Sequence, residues 1–273
     1  MLRAELLKLT TTPASKIALA VGAGGLLVTQ LLTVTLLPAL ASGQIGPGKE
    51  VIGDDIPTGD FATSAGQLGA LSPLGPSGGS GSIGIAVIAI VLMGVLAGTS
   101  DYRFGGMVTT ALAQPSRVRI LAAKAAAAGV AGLVTGAVLA AISTTTLLIT
   151  LGIAGTPLAI EPAVLAAVLA RSVVAIACLT VIAVAVGMLA RSQLTAVLVM
   201  LGILLFEMIV QSIAQLIVGT VPVWAQLMPL SLTNAVIGAG TAGLPLPAAA
   251  PALLALTVLA LTLAAHALRR RDI

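Results

Sequence analysis

Six long stretches of this chain carry no charge or only one, and that pattern leaves few folds open. They are residues 17–41, 83–98, 125–151, 172–190, 194–218 and 248–268, of 25, 16, 27, 19, 25 and 21 residues. A helix needs roughly 20 apolar residues to cross the hydrocarbon layer of a bilayer. Lipid offers no partner to free backbone groups, and nothing in these stretches alternates with a period of two, so each is read as a helix. The sequence therefore predicts an all-α polytopic membrane protein with six transmembrane helices.

Composition agrees. Charged residues make up 8% of the 273, against roughly 25% in a soluble domain. That is too little polar side chain to coat a globule of this size, which excludes an ordinary soluble enzyme. Cys178 and His266 are the only residues of their types. A disulfide within the chain, a cysteine-based metal cluster and a multi-histidine metal site are excluded. Cys178 is read as a small hydrophobe, and His266 as a headgroup or capping residue.

Lysine and arginine set the orientation. With six spans both termini share one side. There lie Arg3, Lys8, Lys16, Arg103, Arg117, Arg119, Lys124, Arg191, Arg269, Arg270 and Arg271, which is 11 of the 13 positive residues. Only Lys49 and Arg171 fall on the other side, together with Glu50, Asp54, Asp55, Asp60 and Glu161. The positive side is expected to be cytoplasmic, in the cytoplasmic membrane of a bacterium. The net charge of +4 follows from topology and does not imply a nucleic-acid partner. Ala39-Leu40-Ala41 resembles a small-residue cleavage site, but the apolar run before it is far longer than the roughly 7–15 residues of a signal core. The first span is expected to be retained.

The connecting segments are distinctive. In residues 1–16, Leu2, Leu6 and Leu9 share one helical face, with Arg3, Glu5 and Lys8 off it, as in a short interfacial helix. The outer loop 42–82 holds eleven glycines and four prolines, which predicts partial disorder and leaves room for packing as a lid. Its glycine-rich stretch 75–84 has no following Lys-Ser or Lys-Thr and is not a phosphate-binding loop. Residues 219–247 carry four prolines and no charge, so they are read as a re-entrant segment before span six. Trp224 suits an interfacial anchor there.

Segment 98–124 reads GTSDYRFGGMVTTALAQPSRVRILAAK and holds four of the eleven positive charges of its side. Met107, Ala111 and Leu112 give a short helix one apolar side, Gly105 and Gly106 turn the chain before it, and Pro115 stops it. The residues alone fit either a helix lying against a partner or a basic loop that fixes topology.

Polar residues inside spans are few. Glu207, Gln211 and Gln215 fall at i, i+4 and i+8 on span five and form one stripe. They are candidates for a substrate path, because intramembrane ionisable groups face a bundle interior or a cavity. Helix-to-helix glue is the alternative, with hydroxyls of the first span as partners. Thr29, Gln30 and Thr33 in span one and Ser143, Thr144, Thr145 and Thr146 in span three are expected to bond back to their own helices.

The order Asp101-Tyr102-Arg103-Phe104-Gly105, then Thr109-Thr110, Pro115-Ser116-Arg117 and Lys124, resembles ATP-binding-cassette transporter permeases of the ABC-2 type. The start, Ala4-Glu5-Leu6-Leu7-Lys8-Leu9, is similar to that family's amphipathic leading helix. The family usually has Glu where Asp101 stands and Thr where Gly106 stands. The resemblance runs the whole chain as one transmembrane permease domain, 1–273. It implies a permease subunit of an exporter moving a hydrophobic or amphipathic substrate, whether drug, lipid or peptide. It further implies that residues 99–119 form a coupling helix on a separate cassette ATPase at the cytoplasmic face. The coupling residues would be Asp101, Tyr102, Arg103, Phe104, Gly105, Met107 and Leu112, joined by Glu5 and Lys8. A second permease chain, identical or a close paralogue, would complete the path. No G-x-x-x-x-G-K-[ST] occurs, so this chain is not expected to be an enzyme or to bind a cofactor. ATP and Mg would sit on the partner ATPase. A secondary carrier, or a non-transporting membrane anchor or immunity protein, is the other class that fits.

Overall fold

The computed structural model describes every residue except 44, 47–59, 76–82, 104, 107–111, 113–115, 240–242 and 271–273. Among the described residues all regular structure is helical. Helix α1 covers Leu2–Thr11. Thr12 is extended (φ −73°, ψ 125°), as a residue before proline is biased to be, and Pro13 then opens α2, Pro13–Ala41. Helix α2 holds a π-helical stretch at Leu31–Leu36. Next come α3 (Ser64–Ala70), α4 (Ile85–Arg103), α5 (Arg117–Ala154), α6 (Pro162–Ala190) and α7 (Gln193–Val218). Two short helices, α8 (Val223–Gln226) and α9 (Pro229–Ile237), precede α10 (Leu246–Arg270). Helices α2, α4, α5, α6, α7 and α10 are long and apolar enough to cross a membrane, the build of a multi-pass membrane protein.

Several helices overrun the uncharged stretches that announce them. Helix α5 is 38 residues long and takes in Arg117, Arg119 and Lys124. At about 1.5 Å per residue it measures roughly 57 Å, well beyond the ~30 Å hydrocarbon layer. Helix α6 begins at Pro162 instead of 172 and encloses Arg171, which was expected in a loop. Arg171 precedes the end of α6 by nineteen residues, roughly 28 Å or one hydrocarbon thickness. A charged residue therefore does not mark where a helix stops.

Helix α6 is the hub. It packs against α4, α5, α9 and α10, and glycines set the distance to its two nearest neighbours. A Cβ at Gly94 of α4 would lie 2.5 Å from the Thr180 carbonyl oxygen, and one at Gly98 2.6 Å from that of Val184. On α5, a Cβ at Gly132 would lie 2.7 Å from Ala177 Cα, and one at Gly136 2.9 Å from Val173 Cα. Each pair is a Gly-x-x-x-Gly, the small-residue spacing that lets membrane helices touch through their backbones.

The end of the bundle that carries the termini closes around a second apolar cluster. Ala97, Leu121, Val184, Met188, Ala264 and Leu268 form it, with Leu9 and Tyr102 packed against it. Arg117 Nη1 donates to the Leu268 carbonyl at 2.8 Å. The opposite end is plugged by residues 60–75 of the segment between α2 and α4. Thr63 caps α3, its hydroxyl accepting from Gly66 N–H, and Ala70, Leu71 and Leu74 are buried in the main core. Amides hold the plug in place. Gln67 Nε2 donates to the carbonyls of Phe61 (2.9 Å) and Pro157 (3.0 Å), and its Oε1 accepts from Ala159 N–H at 2.8 Å. Gln30 Nε2 donates to the Ala70 carbonyl at 2.9 Å. Residues 60–75 of the loop are thus folded into the bundle as a lid, and its other stretches lie partly outside the described residues. Thr29 and Thr33 do bond back to their own helix. Gln30 does not, because the incoming α3 supplies carbonyls that α2 cannot offer.

Candidate coupling site and a buried carboxylate

Helix α1 places Glu5 and Lys8 one turn apart, on the side facing the bundle. The last turn of α4 places Asp101 beside them, and the second turn of α5 places Lys124. Glu5 Oε1 meets Lys8 Nζ at 2.9 Å and Glu5 Oε2 meets Lys124 Nζ at 3.2 Å. Asp101 Oδ1 meets Lys8 Nζ at 2.9 Å and Asp101 Oδ2 meets Lys124 Nζ at 2.9 Å. The four side chains form a closed ring of alternating sign with no net charge. Lys124 is 1% exposed, and the Ala97 carbonyl at 3.3 Å is a third oxygen around its ammonium. Two of its three N–H groups donate hydrogen bonds, to Glu5 Oε2 and the Ala97 carbonyl. The Asp101 Oδ2 contact is an ion pair outside hydrogen-bond geometry.

Burial by itself would lower the Lys8 ammonium, but hydrogen bonds to Asp101 and Glu5 outweigh it and hold Lys8 above its ordinary value of 10.5. A raised basic group contributes stability that is fully present below its unfolded value and is lost as pH rises through the folded one. Lys8 therefore keeps the ring closed throughout the neutral range.

Asp101, Glu5 and Lys8, three of the residues assigned to coupling, are thus brought together, but they face one another and Lys124. Asp101 is buried and its carboxylate points inward. Tyr102 is half-buried at the end of α4. Gly105 turns the chain with φ +68°, a conformation glycine adopts without strain. Leu112 is 79% exposed. Phe104, Met107 and the Arg103 side chain lie outside the described residues. Lys124 entered the sequence reading only as a positive charge and a family landmark. Its position eight residues into an apolar helix is the signal that it needs a buried partner.

The stripe on span five divides. Glu207 is buried, and its carboxylate accepts from the backbone N–H groups of Leu230 (3.0 Å) and Ser231. These are second and third in α9, whose first residue is Pro229. The first-turn N–H groups of a helix have no partner within it, and its N-terminus favours negative charge. Glu207 thus caps α9 from another helix. Gln211 Nε2 donates to Glu207 Oε1 at 3.2 Å and to Ser231 Oγ. Gln215 is exposed and donates to the Gly219 carbonyl at 3.0 Å, closing the end of α7. The carboxylate's partners are amides of α9 and the Gln211 amide, not hydroxyls of the first span.

Glu207→Ala should lower stability by about 1–3 kcal/mol, the cost of leaving buried N–H groups unpaired. Glu207→Gln, which keeps an acceptor, should cost less. Thermal unfolding of the purified chain in detergent measures both, and equal losses would remove the capping role.

Among the described residues no group of three or more His, Cys, Asp or Glu side chains is arranged to hold a metal ion. What the ring does is mechanical: it fixes α1 to the two helix ends that flank residues 104–116. No protein-family model matches the chain, and no curated protein matches it.

Proposed function

We propose that this chain is the membrane-spanning permease subunit of an ABC-2 type exporter, driven by a separate cassette ATPase and paired with a second permease chain. The observation that carries this reading is the charge ring. A partner that pulls on α1 or on the segment between α4 and α5 moves the ends of both helices together, because Glu5, Lys8, Asp101 and Lys124 tie them. The glycine contacts at Gly94, Gly98, Gly132 and Gly136 then pass that motion to α6 without soft side chains between. This is what a coupling site requires, and neither an anchor nor a carrier needs it.

In this reading both termini and the 104–116 segment face the cytoplasm, and α3 closes the outer mouth. Helices α8 and α9 form a re-entrant hairpin. Glu207 lies eleven residues before the end of α7, so the first turn of α9 sits roughly 16 Å inward of that end. Glu207 then holds the hairpin at depth, and the substrate is hydrophobic or amphipathic.

The test is co-expression and co-purification with a candidate cassette ATPase from the same genome, followed by measurement of substrate-stimulated ATP hydrolysis. Tyr102→Ala with Arg103→Ala should reduce the stimulation severalfold while membrane insertion stays unchanged. Undiminished stimulation in the purified complex would overturn the coupling role.

A further inference from the structure

Among the described residues, four helices end on a residue in the left-handed region. Three of them use glycine: Gly155 after α5 (φ +64°), Gly219 after α7 (φ +73°) and Gly238 after α9 (φ +68°). Helix α6 ends on Arg191, with φ +58°. Among the described residues it is the sole non-glycine with positive φ. Glycine is the usual occupant of this position because it has no Cβ to clash. Keeping an arginine there carries a conformational cost that the fold itself does not require.

The Arg191 side chain is exposed and makes no hydrogen bond or ion pair among the described residues. The carboxylates of Glu5 and Asp101 are taken by Lys8 and Lys124. Arg191 instead lines an open cavity of about 570 Å³, together with Tyr102, Ser192, Gln193, Leu194 and Val197. A guanidinium, two hydroxyl side chains and an amide make one part of its wall. Leu194 and Val197 make the rest.

The apolar part of that wall continues outside the cavity. Leu194 is 69% exposed and Leu198 61%. Leu205 and Ile209 are exposed as well, and all four fall at i, i+4, i+11 and i+15 on one face of α7. The cavity lies at the start of a 26-residue span, the level at which hydrocarbon gives way to headgroups. A cation without a partner among the described residues, in a mostly apolar cavity that opens onto an exposed aliphatic stripe, matches a ligand with an anionic head and an acyl tail.

We propose that the Arg191 cavity binds the headgroup of an anionic phospholipid, whose acyl chain lies along Leu194 and Leu198. The chemistry read by the head is a phosphate held by a guanidinium and neutral donors. The stripe distinguishes a lipid from free phosphate. The site does not depend on what the protein transports.

The test uses the full chain purified in detergent and challenged with phosphatidylglycerol or phosphatidylcholine, with retained lipid counted by native mass spectrometry. Wild type should retain the anionic lipid roughly fivefold better, the preference one arginine supplies near an anionic surface. Arg191→Gly should abolish the preference with unfolding temperature equal or higher, since glycine suits the left-handed backbone. Arg191→Lys should keep part of it. An undiminished preference in Arg191→Gly would overturn the proposal. So would full displacement of the lipid by millimolar inorganic phosphate, which would mean the tail is not read. Loss of ATPase binding with lipid retention unchanged would also overturn it and assign the cavity to the partner protein.

Discussion

Lys124→Met should destabilise the protein by about 3–5 kcal/mol, the range for removing one member of a buried ion pair. The substitution keeps the length of the side chain and removes only the ammonium. Asp101 is then left buried with Lys8 alone, and Glu5 loses the contact that draws α1 onto α5. Thermal unfolding should fall, and protease should cleave α1 faster. Asp101→Leu combined with Lys124→Met tests whether the ring acts as a unit. The double variant buries no uncompensated charge there, while Glu5 and Lys8 stay paired within α1. Its loss should be smaller than the sum of the two single losses, because residues in one network do not act additively. Strict additivity would mean that the four contacts are independent and that the ring transmits nothing.

Gly98→Leu should be the most damaging single change in the apolar part of the molecule. Even an alanine there sets its Cβ 2.6 Å from the Val184 carbonyl oxygen and 3.3 Å from Gly187 Cα. Both are backbone atoms and cannot swing aside, so α4 and α6 must separate. Overfilling a packed core costs about 1–3 kcal/mol when side chains can adjust, and here they cannot. The expected result is failure to recover folded protein from membranes. Gly202→Ala is the matched control, since a Cβ there meets nothing within 4 Å. It should leave the protein intact or stabilise it by about 0.5–1 kcal/mol. If Gly98→Leu folds as well as Gly202→Ala, the close approach of α4 and α6 is wrong.

What could be read from the sequence divides along the length scale of the interactions. The six spans are legible because excluding charge from hydrocarbon is a local demand, visible in any window of about 20 residues. Their ends are less so. Lys124 and Arg171 look like boundaries, yet one sits in an ion-pair ring and the other one membrane thickness from its helix end. The two Gly-x-x-x-Gly pairs at 94–98 and 132–136 are plainly written in the sequence and went unread, because 30 glycines hide the few that matter. The members of the ring are legible and its closure is not: the family resemblance names Glu5, Lys8, Asp101 and Lys124, but pairing across 93 and 119 residues leaves no local mark. Glu207 was recognised as an unusual acid. Its role was not, because the amides it caps belong to a helix that forms twenty-two residues later.

The ring also sets an order of events during synthesis. Glu5 leaves the ribosome 119 residues ahead of Lys124, the lysine that ties it to α5. At roughly 5–20 residues per second that is a delay of about 6–24 s. Asp101 and Lys124 are separated by only 23 residues, so the α4–α5 hairpin can close its own charges as it enters the bilayer. Until then Glu5 and Lys8 of α1 have only each other. Helix α1 is therefore fastened only once α4 and the start of α5 are in place, and its docking reports that these two helices stand in register.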